Sequence, residues 1–106
     1  MNVVIVGGGL AGTIAAKTLR ELRPDTRVDI YGDEPYPYYP RPNLVEYLAG
    51  RMPRDKVFAF PQGWAERQGI GVRLDERVVR IHPDRRRIET SRGEEAPYDA
   101  LLLATG

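Results

Sequence analysis

Cysteine is missing altogether from the 106 residues. Its absence excludes a disulfide scaffold, a thiolate metal site and a redox-active thiol within this chain. No apolar stretch approaches the length of a membrane span. No charge of one sign dominates either: 16 basic against 15 acidic residues leave a formal net charge of +1. Such a balance gives no electrostatic footprint for nucleic acid or an anionic membrane. No charged leader or cleavage site precedes the first apolar run, so no signal peptide is expected and a cytoplasmic location is the default. Internal repeats and low-complexity tails are absent. At this length the chain can make one domain with a modest core.

What is present is organised around the first twelve residues. Val3-Val4-Ile5-Val6 is a β-branched run suited to a strand buried on both faces of a parallel sheet. Gly7, Gly9 and Gly12 then fill the frame G-x-G-x-x-G at the junction with an apolar pattern of helical period. In a dinucleotide site, the first glycine permits the tight turn, the second lets backbone approach a pyrophosphate, and the third lets helix and strand pack closely. The helix would aim unpaired N–H groups and its positive dipole end at the phosphates. Glycine turns are common, but strand and helix flank this one in the order that the motif requires. The motif leaves FAD and NAD(P) both open.

Leu10, Ile14, Ala15, Leu19 and Leu22 are expected on the core face of that helix, with Lys17, Arg20 and Glu21 left for solvent. Pro24-Asp25 stops it, and Arg20 and Arg23 complement its carboxyl end. Residues 27–31 read as a second strand, completing a right-handed βαβ unit. An acidic side chain about 20 residues beyond the glycines commonly binds ribose at the end of this strand. Asp33 and Glu34 fall there, and the competing reading is a solvated Gly-Asp-Glu-Pro turn.

Pro35-Tyr36-Pro37-Tyr38-Tyr39-Pro40-Arg41-Pro42 forbids a helix or an inner strand and predicts an extended path. It could serve as a ligand for an aromatic-groove domain. The favoured reading runs it across the mouth of the nucleotide site, with Arg41 aimed at phosphate or adenosine. Asn43 could cap a short helix over residues 44–48 that stops at Gly50. Residues 52–56 read as loop, and residues 61–68 as a short helix carrying Trp64, either a packing residue or a stacking platform. Residues 72–74 suggest a third strand. Residues 77–81 and 86–90 form a hairpin and, with the turn at 91–94, a small meander. His82 at the hairpin tip and the run Arg85-Arg86-Arg87 read as solvated. The apolar run at residues 100–103 reads as another buried parallel strand, followed by Ala104-Thr105-Gly106.

The two ends together resemble the two-dinucleotide-domain flavoproteins, the FAD-dependent pyridine nucleotide-disulfide oxidoreductase superfamily. The likeness rests on Val-x-Ile-Val-Gly-x-Gly-Leu-Ala-Gly at the start and Tyr98-Asp99-x-Leu-x-Leu-Ala-Thr-Gly at the finish. Gly32-Asp33-Glu34-Pro35 and Tyr39-Pro40-Arg41-Pro42-Asn43-Leu44 are similar to one branch of it. That branch contains ferredoxin and rubredoxin reductases, the flavin subunit of NADH nitrite reductase, and apoptosis-inducing factor. The resemblance implies an α/β fold: a Rossmann-like parallel sheet binding FAD, with a small antiparallel β-meander before the last strand. It implies that residues 1–106 are an amino-terminal segment of such a domain. An NAD(P)H domain, a returning FAD segment and an interface domain would lie elsewhere in the parent chain.

By the same resemblance the stretch with Gly7, Gly9, Leu10, Ala11 and Gly12 holds the FAD pyrophosphate. Asp33 and Glu34 bind the adenosine ribose, Arg41 contacts FAD, Val78 offers backbone to the adenine, and Ala104, Thr105 and Gly106 pass close to the cofactor. The complete enzyme would move hydride from NAD(P)H to the flavin and electrons onward to an acceptor protein or domain. No residue here is nominated as catalytic and none as a metal ligand. Where many relatives continue Arg-Pro-x-Leu-Ser-Lys, this chain has Val45 and Glu46, so the lysine's role is not carried over. Missing cysteines set the chain apart from the disulfide reductases and thiol-dependent oxidases. The acceptor is then an iron–sulfur protein, a haem or iron centre, a quinone or oxygen. A pyridine-nucleotide-binding module and a non-catalytic flavin-dependent scaffold or sensor are the alternatives, and homo-oligomers are possible in either case.

Overall fold

In the computed structural model, which describes residues 1–105, strand β1 (Asn2–Val6) lies inside a four-stranded sheet. The order is β3-β2-β1-β7, with β2 Arg27–Tyr31, β3 Ile70–Arg73 and β7 Ala100–Leu103. All three pairings are parallel, with Val3 opposite both Val28 and Ala100. Between β3 and β7 the chain makes a separate antiparallel meander: β4 Val78–His82, β5 Arg87–Thr90 and β6 Glu95–Pro97. The expected architecture, a parallel sheet plus a small meander before the last strand, is the observed one.

Alternation along β1 builds two cores. Val3 and Ile5 join Ala16, Val28, Ile30 and Ile70 on the face covered by helices α1 (Leu10–Leu22) and α3 (Trp64–Arg67). Val4 joins Tyr31 and Ile88 on the other face, where Val78, Ala96 and Tyr98 of the meander close over it. Ile5 and Ile88 are 0% exposed, and burying each such side chain contributes roughly 1.5–3 kcal/mol.

The helix face departs from expectation. Gly12, Thr13 and Ala16 are the buried residues of α1, whereas Leu10, Ile14 and Leu22 are exposed. Close contact with the sheet demands small side chains, so Gly12, Thr13 and Ala16 take the innermost places, while Ala15 and Leu19 of the expected stripe pack against the core beside them. Arg20 is not solvated either. Its guanidinium donates to the carbonyls of Gln68 (2.9 Å), Pro24 (2.6 Å) and Thr26 (2.7 Å), fastening the end of α1 to β2 and α3.

Helix α2 (Arg41–Leu48) starts earlier than expected, with Pro40 as its N-cap. Asn43 sits inside it and donates its side-chain amide to the Val57 carbonyl at 3.2 Å, so it is no cap. A 3-10 turn (Arg54–Lys56) occupies part of the expected loop. The predicted helix at 61–68 shrinks to α3, because Gly63 at φ 79° interrupts it. The final strand is parallel to β1 as read, but it lies at the sheet edge and leaves Leu103 61% exposed.

Candidate functional site

The carboxyl ends of β1, β2 and β3 open onto one cleft of about 1440 Å³. Since β2 and β7 flank β1 on opposite sides, the cleft also stands where the chain changes direction across the sheet. In open α/β sheets ligands bind in that place.

The three glycines of the first turn have three different environments. Gly7 has φ 116°, donates its N–H to the Tyr31 carbonyl at 2.9 Å, and lies so near the last strand that a Cβ would strike the Ala104 carbonyl oxygen. A Cβ on Gly12 would strike the Gly7 carbonyl oxygen, and the Ile5 side chain stands behind it. A Cβ on Gly9 would meet no protein atom within 4 Å. Two of the glycines are therefore needed by the fold itself. The third faces a cradle that a side chain would fill.

Gly9 is also the N-cap of α1, with no side-chain cap and no acidic residue in the first turn. The first hydrogen bond within the helix runs from the Thr13 N–H to the Gly9 carbonyl at 3.0 Å. The amides of Leu10 and Ala11 precede it and, with the positive end of the dipole, suit an anion. Thr13, a cleft residue that the sequence reading passed over, sends its hydroxyl toward the Gly8 carbonyl at 3.5 Å.

Of the residues expected at the site, Gly7, Gly9, Leu10, Ala11, Asp33, Glu34, Arg41, Val78, Ala104 and Thr105 all line this cleft. Gly12 does not; it acts by packing behind the turn. Gly106 lies outside the described residues. Asp33 and Glu34 sit on the exposed loop after β2, and backbone hydrogen bonds tie that loop to the end of β3. Gly32 donates to the Arg73 carbonyl, Asp75 to Glu34 and Glu76 to Gly32, at 2.8–2.9 Å. Asp75 takes φ 53° to make this turn.

The proline-rich segment does run along the cleft, through Tyr36, Pro37, Tyr38, Tyr39 and Arg41. Phe58, Phe60 and Trp64 also line the cleft, with the Phe60 and Trp64 rings stacked at 4.0 Å. Trp64 also packs against the core, as the packing reading of it expects. Glu46 is absent from the cleft lining and pairs with Arg51 at 3.2 Å.

Buried Glu76, 4% exposed with Oε2 lacking a hydrogen-bond partner, was not singled out from the sequence. It looks there like any polar turn residue. Among the described residues no group of three or more His, Cys, Asp or Glu side chains could hold a metal ion, and no helix is long and apolar enough to cross a membrane. His82 stands at the end of β4, with Nε2 3.7 Å from Glu89 Oε2.

Comparison with known proteins adds the context. The sequence profile described as "pyridine nucleotide-disulphide oxidoreductase" matches residues 1–106. The ferredoxin reductase subunit of 5,5'-dehydrodivanillate O-demethylase from Sphingobium sp. is 38% identical over 106 residues, covering 99% of this chain and 26% of that protein. The ferredoxin–NAD(+) reductase component of the biphenyl dioxygenase system from Paraburkholderia xenovorans is 35% identical over the same coverage. Among solved structures, the covalent putidaredoxin reductase–putidaredoxin complex matches with a TM-score of 0.90 and 33% identity, over 99% of this chain and 25% of that one. The chain thus spans about a quarter of the length of these relatives.

Proposed function

The chain belongs to the pyridine nucleotide-disulphide oxidoreductase family, and we propose that it holds the ADP half of FAD in an NAD(P)H-dependent flavoprotein reductase. In this reading residues 1–106 are the amino-terminal segment of the FAD domain, and the rest of a longer chain completes the flavin end. The observation that carries it is Gly9: its missing side chain leaves open space at a helix N-terminus, while Gly7 and Gly12 are closed in by backbone. A turn serving only the fold would have no need of the second glycine.

The residues present fit the group. The amides of Leu10 and Ala11 would receive the pyrophosphate, and the small side chain of Ala11 leaves room for it. Asp33 and Glu34 would take the ribose hydroxyls, acceptor-only carboxylates being suited to O–H donors. Arg41 would add positive charge beside the phosphates, and the backbone at Val78 would meet the adenine edge. Ala104 and Thr105 would border the cofactor from the far side of β1. When bound, the flavin supplies two-electron acceptance from NAD(P)H and onward delivery of electrons; this segment supplies binding and orientation.

The acceptor in this proposal is a ferredoxin-like or rubredoxin-like redox protein or another non-thiol centre. The ferredoxin reductases among the relatives and the absence of cysteine from these 106 residues support it. A competition titration tests the cofactor assignment. FAD should quench in fluorescence on binding the full-length apoprotein, and ADP should displace it, while NAD(+), which cannot reduce the flavin, does not compete at this site. Displacement of FAD by NAD(+) with equal affinity would replace the proposal with a pyridine-nucleotide site.

A further inference from the structure

Two adjacent carboxylates stand where a ribose is expected, and the structure treats them differently. Tyr39 donates its hydroxyl to Glu34 Oε2 at 2.8 Å, closing residues 34–39 into a loop stiffened by Pro35 and Pro37. Asp33 accepts no side-chain hydrogen bond among the described residues.

The same loop is anchored elsewhere. Asp75 donates its N–H to the Glu34 carbonyl at 2.8 Å, and Ala59 donates to the Tyr38 carbonyl at 3.3 Å. The Arg54 guanidinium lies 5.7 Å from the centre of the Tyr36 ring. Of these fastenings, only the Tyr39–Glu34 bond joins the two ends of the strap to each other. The hydrogen bond to Glu34, and then its negative charge, hold the Tyr39 hydroxyl above the usual tyrosine range.

We propose that Tyr39 is a positioning residue for the nucleotide site. Its hydroxyl latches Glu34 and folds residues 35–40 along the cleft, and Asp33 becomes the carboxylate that takes the ribose hydroxyls. The inference rests on the FAD reading above and divides the labour of its two acidic residues. A glutamate committed to a tyrosine holds the wall of the cleft; a neighbour that accepts no side-chain hydrogen bond among the described residues meets the ligand.

Limited chymotrypsin digestion of the full-length apoprotein reads the latch directly. Tyr36 and Tyr39 each precede a proline, and those bonds resist the protease, so cleavage between Tyr38 and Tyr39 reports an open strap. Tyr39→Phe and Glu34→Ala should each speed that cleavage about five- to tenfold, and the double variant should go no further. Glu34→Gln should cleave within about twofold of the parent, because its amide oxygen still accepts the hydrogen bond.

In the FAD-loaded protein, Tyr39→Phe and Glu34→Ala should speed FAD release by a shared, non-additive factor. Asp33→Asn should weaken FAD binding in every background without changing the cleavage rate. Additive effects of Tyr39→Phe and Glu34→Ala would overturn the proposal. So would a silent Tyr39→Phe beside a Glu34→Gln that loses FAD as badly as Glu34→Ala, because the glutamate would then serve the ribose itself. Failure of the parent protein to take up FAD would sink the cofactor assignment instead, and the cleavage pattern would still decide the latch.

Discussion

Gly7 and Ala104 meet backbone to backbone: a Cβ on Gly7 would overlap the Ala104 carbonyl oxygen, and the Ala104 N–H bonds the Val6 carbonyl at 2.8 Å. The first turn of the chain and the exit of its last strand are thus one piece of structure. Gly7→Ala should therefore destabilise twice, through its φ of 116° and through the collision. Gly12→Val should cost more than about 3 kcal/mol, since its obstacle is also backbone. Both variants should lower the thermal midpoint measured by circular dichroism. Gly9→Val should lower it far less, by the loss of a favourable N-cap worth about 0.5–1 kcal/mol, because its side chain enters open space.

Arg20 offers a test of the scaffold that does not touch the cleft. Replacing it with methionine keeps much of the aliphatic stem and removes the hydrogen bonds to Gln68, Pro24 and Thr26. The expected loss is about 1–2 kcal/mol in denaturant unfolding. FAD affinity at saturating stability should be unaffected, and a selective loss of FAD would show that the α1–α3 junction reaches the site.

Alkaline pH should weaken the fold through Tyr31. Burial between the main sheet and the meander is the largest cause raising its hydroxyl above the ordinary value of 10.0; Asp29, Glu76 and Glu94 add to it and Arg73 opposes. Below pH 10 both folded and unfolded tyrosine keep the proton and the contribution is whole. Above it the unfolded chain ionises first, so stability falls as pH climbs toward the folded value. Tyr31→Phe should flatten that limb of an unfolding-versus-pH curve; an unchanged limb would remove Tyr31 as its cause.

Arg41 lines the cleft while remaining exposed, so its contribution should be sensitive to screening. Arg41→Glu should weaken FAD binding by about tenfold at low salt, with the difference shrinking as salt rises. Equal loss at every ionic strength would point to a packing role.

How much of this could be read from the chain depends on which residues carried the information. The β1 run, the glycine frame and the acidic pair each tie a residue type to one physical job: Val6, Gly7, Gly9, Asp33 and Glu34 line the cleft, and Gly12 packs behind it. The α1 face was legible only in part: Ala15 and Leu19 pack on the core as periodicity expects, but the sheet wants Gly12, Thr13 and Ala16 closest, which leaves the larger Leu10 and Ile14 exposed. Arg20 reads as solvated in the sequence because periodicity does not announce that its side chain folds back on the Pro24 and Thr26 carbonyls just beyond the helix and reaches the distant Gln68 carbonyl. Tyr39 and Glu76 are equally silent in the sequence. Their significance lies in a hydrogen bond made or left unmade, and neither leaves a mark on composition or spacing.

The most direct measurement is the visible absorption spectrum of the full-length protein after loading with FAD and desalting, beside Gly9→Val treated identically. The account predicts a retained flavin band in the parent and none in a Gly9→Val variant whose circular dichroism and cooperative melting are intact. A folded Gly9→Val protein that keeps its full flavin band would contradict it, because the pyrophosphate could not then lie where Gly9 leaves the opening.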